Sequence, residues 1–309
     1  MILNTGMRTD IPAFYSKWLM NRVREGFVMV RNPYDPGQIT RYRLTPDVVD
    51  ILLFCTKNPE PMLPYLDELK PFRLFWFVTI TPYGREIEPN VPDLQHALRS
   101  FQKLSDAVGK TAVAWRYDPI FLTGKYDLAT HIEVFSHMAE TLREYTDQVV
   151  ISFIDLYTKT RRNFPEARAV LPRKREAIGK AFFEIAAQNG MTVRSCMEGT
   201  DLAPFGVDVS GCMTKEVLER ATGIRLTPPH TGTARPGCSC LLGNDIGAYN
   251  TCPHLCRYCY ANYDARSVRE NCRRHDPASP LLIGRPTAAD RIHDAQQRSY
   301  ISAQLSLDL

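Results

Sequence analysis

Leu74-Phe75-Trp76-Phe77-Val78-Thr79-Ile80 is an almost unbroken apolar run that stops at the turn-forming cluster Thr81-Pro82-Tyr83-Gly84-Arg85. A run of this length without polar alternation suits a strand buried on both faces, as in a parallel sheet covered by other layers. The pattern recurs along the chain. Residues 2–4 are followed by Arg8-Thr9-Asp10, and residues 50–55 by Thr56-Lys57-Asn58-Pro59. Residues 112–115 end in Arg116-Tyr117-Asp118-Pro119, residues 149–154 in Asp155, and residues 192–195 in Cys196-Met197-Glu198.

Helical patterns separate these runs. Leu94, Leu98, Phe101, Leu104 and Val108 keep a helical period and stop at Gly109. Leu128, Ile132, Phe135, Ala139 and Leu142 keep the same period, and residues 173–189 close on Gly190. Residues 11–25 read as one helix with Phe14, Trp18 and Val23 on its buried face. Residues 28–30 and 39–44 flank Asn32-Pro33-Tyr34-Asp35-Pro36-Gly37, which predicts a hairpin outside the main sheet.

Strands alternating with helices imply an α/β fold with parallel pairing. Six strands are legible, each with polar residues at its C-terminal end, and a complete (β/α)8 barrel needs two more. A doubly wound open sheet is the rival, but no Gly-x-Gly-x-x-Gly turn follows the first strand. The expectation is a partial parallel (β/α)6 barrel of TIM type over residues 1–199. Residues 200–309 form an irregular segment rich in Gly, Pro and Cys that wraps over the mouth, with a short helix near 215–221. In the tail, Asp276-Pro277 and Arg285-Pro286 mark turns and residues 288–302 read as a helix.

Hydrophobic content of 44%, charged content of 23% and a net charge of +4 over 309 residues are ordinary for a globular protein. They argue neither for nor against a phosphate-bearing partner. No apolar run approaches the ~18 residues of a membrane helix, and the first residues lack signal-peptide character. A cytosolic (cytoplasmic) protein without membrane contact is expected. In that setting the nine cysteines point to metal or redox chemistry rather than disulfides. All but Cys55 fall between Cys196 and Cys272.

Three of them stand in Thr251-Cys252-Pro253-His254-Leu255-Cys256-Arg257-Tyr258-Cys259-Tyr260 with the spacing C-x3-C-x2-C. Thiolates suit iron–sulfur clusters or zinc, and a closed site needs a fourth ligand that this loop lacks. The motif, with an aromatic before its third cysteine, resembles the signature of radical S-adenosylmethionine (SAM) enzymes. There the three cysteines hold a [4Fe–4S] cluster whose open iron chelates SAM, and six is the strand number of that superfamily's partial barrel. The superfamily carries the motif after its first strand, whereas here it lies about fifty residues from the end. That displacement, Asp245-Ile246-Gly247-Ala248-Tyr249, Cys-Tyr-Ala-Asn at 259–262, Arg8-Thr9-Asp10-Ile11-Pro12 and Lys57-Asn58-Pro59 resemble an uncharacterised bacterial family of radical-SAM-like proteins with a C-terminal cysteine cluster.

The resemblance implies an enzyme that cleaves SAM reductively, fed by a reductant such as flavodoxin or ferredoxin, on an unnamed small-molecule or nucleic-acid substrate. It assigns Cys252, Cys256 and Cys259 to the cluster and places Tyr258, Tyr260 and Asn262 beside the cofactor. The strand-end rule nominates Arg8, Asp10, Lys57, Asn58, Arg116 and Asp118 for binding SAM or an anion, and Asp155, Glu198 and Cys196 for catalysis. The plainer readings are salt bridges Arg8–Asp10 and Arg116–Asp118 across the mouth, a core-packing Tyr258, and a zinc knuckle completed by His254 or a distant cysteine. The Gly-Gly-Glu stretch that many radical SAM enzymes use is replaced by Thr56-Lys57-Asn58-Pro59. Cys196, Cys212, Cys238 and Cys240 make a candidate second site, zinc or iron–sulfur, with unpaired buried thiols as its alternative. A non-enzymatic zinc or iron–sulfur nucleic-acid-binding protein, drawing on Tyr249, Tyr258, Tyr260 and Tyr263 beside Arg257, is the second functional reading. An iron–sulfur Lewis-acid enzyme that does not use SAM is the third.

Overall fold

The computed structural model describes residues 1–196, 198–228, 239–241 and 243–301. The chain opens with β1 (Ile2–Asn4), two short helices α1 (Ile11–Phe14) and α2 (Ser16–Glu25), and a hairpin of β2 (Phe27–Arg31) and β3 (Gln38–Arg43). It then alternates through β4 (Ile51–Thr56), α3 (Leu66–Leu69), β5 (Leu74–Thr79), α4 (Leu94–Val108), β6 (Val113–Ile120), α5 (Leu128–Leu142), β7 (Gln148–Phe153), α6 (Thr158–Asn163), α7 (Pro172–Gln188) and β8 (Thr192–Ser195). The last part contributes α8 (Lys215–Thr222), β9 (Asn244–Asp245), α9 (Ala265–Arg273) and β10 (Arg291–Asp294).

Among the described residues, seven strands form one sheet in the order β8-β7-β6-β5-β4-β1-β9. Every pairing in it is parallel. From β1 to β8 its spatial order is its chain order, with the hairpin set aside. The sheet is open, with β8 and β9 at its edges. Alternate residues face opposite layers. Leu52, Phe54, Trp76, Trp115 and Ile151 pack with Trp18, Phe101, Phe135 and Phe182 of the helices in the main core. Ile51, Leu53, Phe75, Phe77, Ala114 and Val150 face the other way, covered by Val217 and Leu218 of α8 together with Cys212 and Cys240. Burial on both faces is why these strands read as continuous apolar runs. Phe54 stacks on Trp76 at 3.9 Å and Phe135 on Phe182 at 3.7 Å, which locks the sheet to its helices.

The helices start where side-chain caps permit. Asp93 accepts from the His96 N–H at 2.9 Å and Asp127 from the Thr130 N–H at 2.8 Å. Each such cap is worth ~1 kcal/mol. The single helix expected over residues 11–25 is broken at Tyr15, whose backbone leaves the helical region. The Tyr15 hydroxyl is taken up by the Thr251 carbonyl at 2.5 Å, a demand from the distant cysteine loop. Of the buried face expected there, Trp18 is fully covered, whereas Phe14 is 36% exposed with its ring edge-on to His254.

The hairpin stands outside the main sheet, as its turn residues predict, and gains β10 as a third, parallel strand. This corrects the helix expected over residues 288–302. In the described part of that stretch Arg291-Ile292-His293-Asp294 is extended, held by Arg41–Asp294 at 2.5 Å and Thr40–His293 at 3.0 Å. A tertiary partner overrides local helical preference there.

Candidate functional site

Because the strands are parallel, the segments that follow β1, β4, β5, β6, β7 and β8 share one end of the sheet. Residues 246–262 are fastened across it. The Ile246 N–H donates to the Asn4 carbonyl (3.0 Å), the Asn90 N–H to the His254 carbonyl (3.3 Å) and the Arg257 N–H to the Ile87 carbonyl (3.0 Å). The Thr160 hydroxyl donates to the Tyr258 carbonyl at 3.2 Å, and the Tyr260 hydroxyl to the Met7 carbonyl. The cysteine loop is thereby held by the ends of β1, β5 and β7. Gly6 lets the first of these segments pass: a Cβ there would stand 2.2 Å from the Cys55 carbonyl oxygen.

Within the loop, Asn250 and Leu255 adopt left-handed backbone, with φ of 57° and 56°. That conformation costs a non-glycine residue ~1 kcal/mol or more. The turn at Leu255 folds Cys256 back toward Cys252. The Cys259 N–H donates to the Cys256 carbonyl at 3.1 Å, the Ala261 N–H to Cys259 Sγ at 3.3 Å, and Asn262 Nδ2 to the Cys252 carbonyl at 2.8 Å. Burial pushes all three thiols up, and Cys252 also feels Cys259 and Cys256. A cation or metal is what would let these sulfurs carry charge.

His254 does not face the sulfurs as a ligand. Its Nε2 meets Asp10 Oδ2 at 2.9 Å and its Nδ1 meets the Asn90 carbonyl at 3.1 Å. Both ring nitrogens are spent on acceptors, so the zinc knuckle completed by His254 lacks its fourth ligand. Asp10 is likewise committed: it caps α1 through the Ala13 N–H (3.0 Å) and accepts the Lys57 N–H (2.7 Å). It positions the loop and is not presented as a ligand contact.

Lys57 and Glu88 form a buried pair at 2.9 Å. Glu88 Oε1 also accepts from Thr81 at 2.8 Å and from the Tyr258 hydroxyl. Burial works against the Lys57 charge, but Glu88 and Cys256 outweigh it and hold its pKa above the usual lysine value. Tyr258 is wedged between the rings of Tyr83 and Phe121, each 6.1 Å away. Glu88 and Thr81 also line a cavity of about 240 Å³ between the end of β5 and the start of α4, with Tyr83, Gly84, Asp93 and Ala97. Glu88 escaped sequence reading because it lies four residues past the turn cluster, although a carboxylate one helical turn beyond Gly84 was the available signal.

The remaining nominated residues divide. Arg8 pairs with Asp245 at 2.6 Å and not with Asp10, which corrects the expected Arg8–Asp10 bridge. Arg116 does pair with Asp118, whose other oxygen accepts from Ser152, and its guanidinium lies over Phe77 at 5.1 Å. Asn58 serves its own turn, accepting the Glu60 N–H at 3.2 Å. Asp155 is exposed and accepts from Tyr157 at 3.1 Å. Glu198 accepts the Phe153 N–H at 2.7 Å and pairs with Arg175 at 2.8 Å; burial pushes its pKa up to about 7. Tyr260 is 44% exposed, and Asn262 Oδ1 is buried without a hydrogen-bond partner.

Cys196 and Cys212 come within 3.7 Å of each other, and Cys212 and Cys240 within 3.7 Å. Cys238 lies outside the described residues. The hydrogen bond to Cys212 and burial push the Cys196 thiol well up, so it is no ready nucleophile at neutral pH. Among the described residues, no group of three or more His, Cys, Asp and Glu side chains is closed round a single ion. A polynuclear cluster spaces its cysteines more widely than one ion does, so the loop thiols answer to a different geometry.

The aromatic and basic residues of the cysteine loop are mostly engaged within the molecule. Arg257 pairs with Glu166 at 2.6 Å, and Tyr249 lies under Arg8 and Lys159. Tyr260 and Tyr263 are the loop's exposed large aromatics among the described residues. No helix among the described residues is long and apolar enough to cross a membrane.

The model of a family described as a domain of unknown function, DUF1848, matches residues 2–261, and the chain belongs to that family. No curated protein matches. Among solved structures the chain is similar, at a TM-score of 0.30 and 12% identity, to the carboxyl transferase domain from Rhizobium etli pyruvate carboxylase with pyruvate. That alignment covers 70% of this chain and 40% of the other, so the chain spans well under half of the protein it resembles.

Proposed function

We propose that this DUF1848 protein is a radical SAM-type enzyme whose [4Fe–4S] cluster is held by Cys252, Cys256 and Cys259. The observation that carries this reading is the three-thiol loop itself: its one nearby imidazole is committed elsewhere, so it offers three soft donors and a free fourth position. When bound, such a cluster supplies one-electron reduction of SAM, drawing on a flavodoxin- or ferredoxin-class donor. Everything else is the work of this chain's own side chains.

Lys57 would keep a positive charge beside Cys256 and offset the negative charge of the thiolates. Glu88 holds Lys57, Thr81 and the Tyr258 hydroxyl in one buried knot, so the Tyr258 ring keeps its place against Tyr83 and Phe121. Asn262 braces the Cys252 carbonyl and leaves Oδ1 for a donor on a bound ligand. The cavity behind Glu88 is smaller than the ~300–1,000 Å³ of most drug-sized sites, which suits a small substrate or one part of a larger one. The strictly sequential strand order agrees with a partial (β/α) barrel, with residues 1–199 as the barrel and 200–309 as the cysteine-bearing segment over its mouth.

The test is electron paramagnetic resonance on anaerobically reconstituted, dithionite-reduced protein, with and without SAM. The expected result is a reduced-cluster signal that changes on adding SAM, with 5′-deoxyadenosine formed in wild type and lost in Cys256→Ala. A cluster signal indifferent to SAM, or protein that takes up zinc and no iron at the loop, overturns the reading.

A further inference from the structure

Cys196, Cys212 and Cys240 come from three separate stretches: the end of β8, the loop before α8, and the segment before β9. We infer that they are the ligands of a second metal site, taking a single thiophilic divalent ion, zinc in the first instance, independent of the cysteine loop.

Distance is the first argument. Cys212 Sγ stands 3.7 Å from both Cys196 Sγ and Cys240 Sγ. Two thiolates on one tetrahedral ion, with metal–sulfur bonds of about 2.3 Å, lie about 3.8 Å apart. The corners of a polynuclear cluster hold their cysteines farther apart, so this spacing selects one ion.

The surroundings are built for sulfur that carries charge. The Met213 N–H donates to Cys240 Sγ at 3.3 Å, and Arg116 Nη1 lies 3.9 Å from Cys212 Sγ. Donors aimed at sulfur favour thiolate over thiol. Gly211, at φ 127°, makes the close approach possible: a Cβ there would press on Cys240 Sγ at 3.0 Å. Cys212 and Cys240 are each 6% exposed, within an apolar layer that includes Phe77 and Leu218. An isolated thiol there would need no such donors. The outer sulfurs are not yet closed round one ion, so capture turns one of their side chains and releases a proton from each thiol. The bound ion would staple the loop before α8 to the end of β8.

The experiment is metal analysis and zinc-edge X-ray absorption on the full chain, purified without oxygen, alongside cobalt substitution. The expected result is one equivalent of zinc with at least three sulfur neighbours at about 2.3 Å, and cobalt charge-transfer bands on substitution. Cys212→Ala should lower zinc below a tenth of an equivalent while the iron bound through Cys252, Cys256 and Cys259 is unchanged. The Cys252→Ser, Cys256→Ser, Cys259→Ser variant should do the reverse, which separates failure here from failure of the proposed function. Circular dichroism guards against misfolding, and Cys240→Ser serves as the milder variant if Cys212→Ala does not fold. Zinc with nitrogen or oxygen neighbours, zinc retained in Cys212→Ala, iron–sulfur absorption that survives the triple variant, or a metal-free Cys196–Cys212 or Cys212–Cys240 disulfide in peptide mapping each overturn the assignment.

Discussion

Asp10 Oδ2 stands 2.9 Å from His254 Nε2, joining the segment after the first strand to the middle of the cysteine loop across 244 residues of chain. Both side chains are nearly inaccessible, at 7% and 4% exposure. The contact is a strut: it fixes the loop's height over the sheet while the sulfurs stay free.

Asp10→Ala and His254→Ala should therefore couple. Each alone leaves a buried polar group unpaired and should cost about 3 kcal/mol or more; the double variant should cost less than the sum by about 1–3 kcal/mol. Urea unfolding of the four proteins gives the coupling directly. Strict additivity would mean that the two residues do not act as a unit.

Glu88→Gln should be among the most damaging single changes near the loop, because it leaves Lys57 as a buried cation without its partner. The expected loss is about 3–5 kcal/mol. Adding Lys57→Met should recover at least half of it, read again by denaturant unfolding. If the second change deepens the loss, Lys57 is held by something other than Glu88.

Glu198 makes stability depend on pH. Folding raises its pKa from 4.5 to about 7, chiefly through burial, so the folded chain holds this proton more tightly than the unfolded chain does. The stabilisation is full below pH 4.5 and fades as pH rises through 7, by about 3 kcal/mol in all. Thermal unfolding of wild type and Glu198→Gln between pH 5 and 8 should show wild type losing ground to the variant as pH rises. Parallel curves would place the group's pKa near that of an ordinary glutamate.

Gly6→Ala should destabilise by about 1–3 kcal/mol, since the new methyl group meets the Cys55 carbonyl. The damage should also reach the cysteine loop, measured as reduced iron uptake on reconstitution, because Met7 and Arg8 support Tyr260 and Asp245. Unchanged stability would show that the Gly6 backbone can shift aside at no cost.

Much of the main sheet was legible from residues such as Leu74 to Thr79, because a strand buried on both faces cannot hide its composition. The elements that escaped depend on partners far away in sequence. Arg291 to Asp294 is a strand because Arg41 and Thr40 meet it, and the Tyr15 break answers to Thr251. In the site, the three loop cysteines declare themselves by spacing, whereas Glu88 carries no motif and gains its place from Lys57, Thr81 and Tyr258. Charges at strand ends were found but not their pairings: Arg8 was matched with Asp10, two residues away, when its partner is Asp245.

The long-range struts from Asp10, Tyr15 and Arg8 to residues 245–254 also set an order of events during synthesis. The ribosome delivers β1 through β8 before the first loop cysteine emerges, and N-terminal portions tend to fold first. When Cys252, Cys256 and Cys259 appear, the carboxylate of Asp10 and the knot at Glu88 are already in place to receive them. Cofactor loading then becomes a late, local docking onto a finished platform, and nascent chains truncated before residue 245 should already resist protease as a folded sheet.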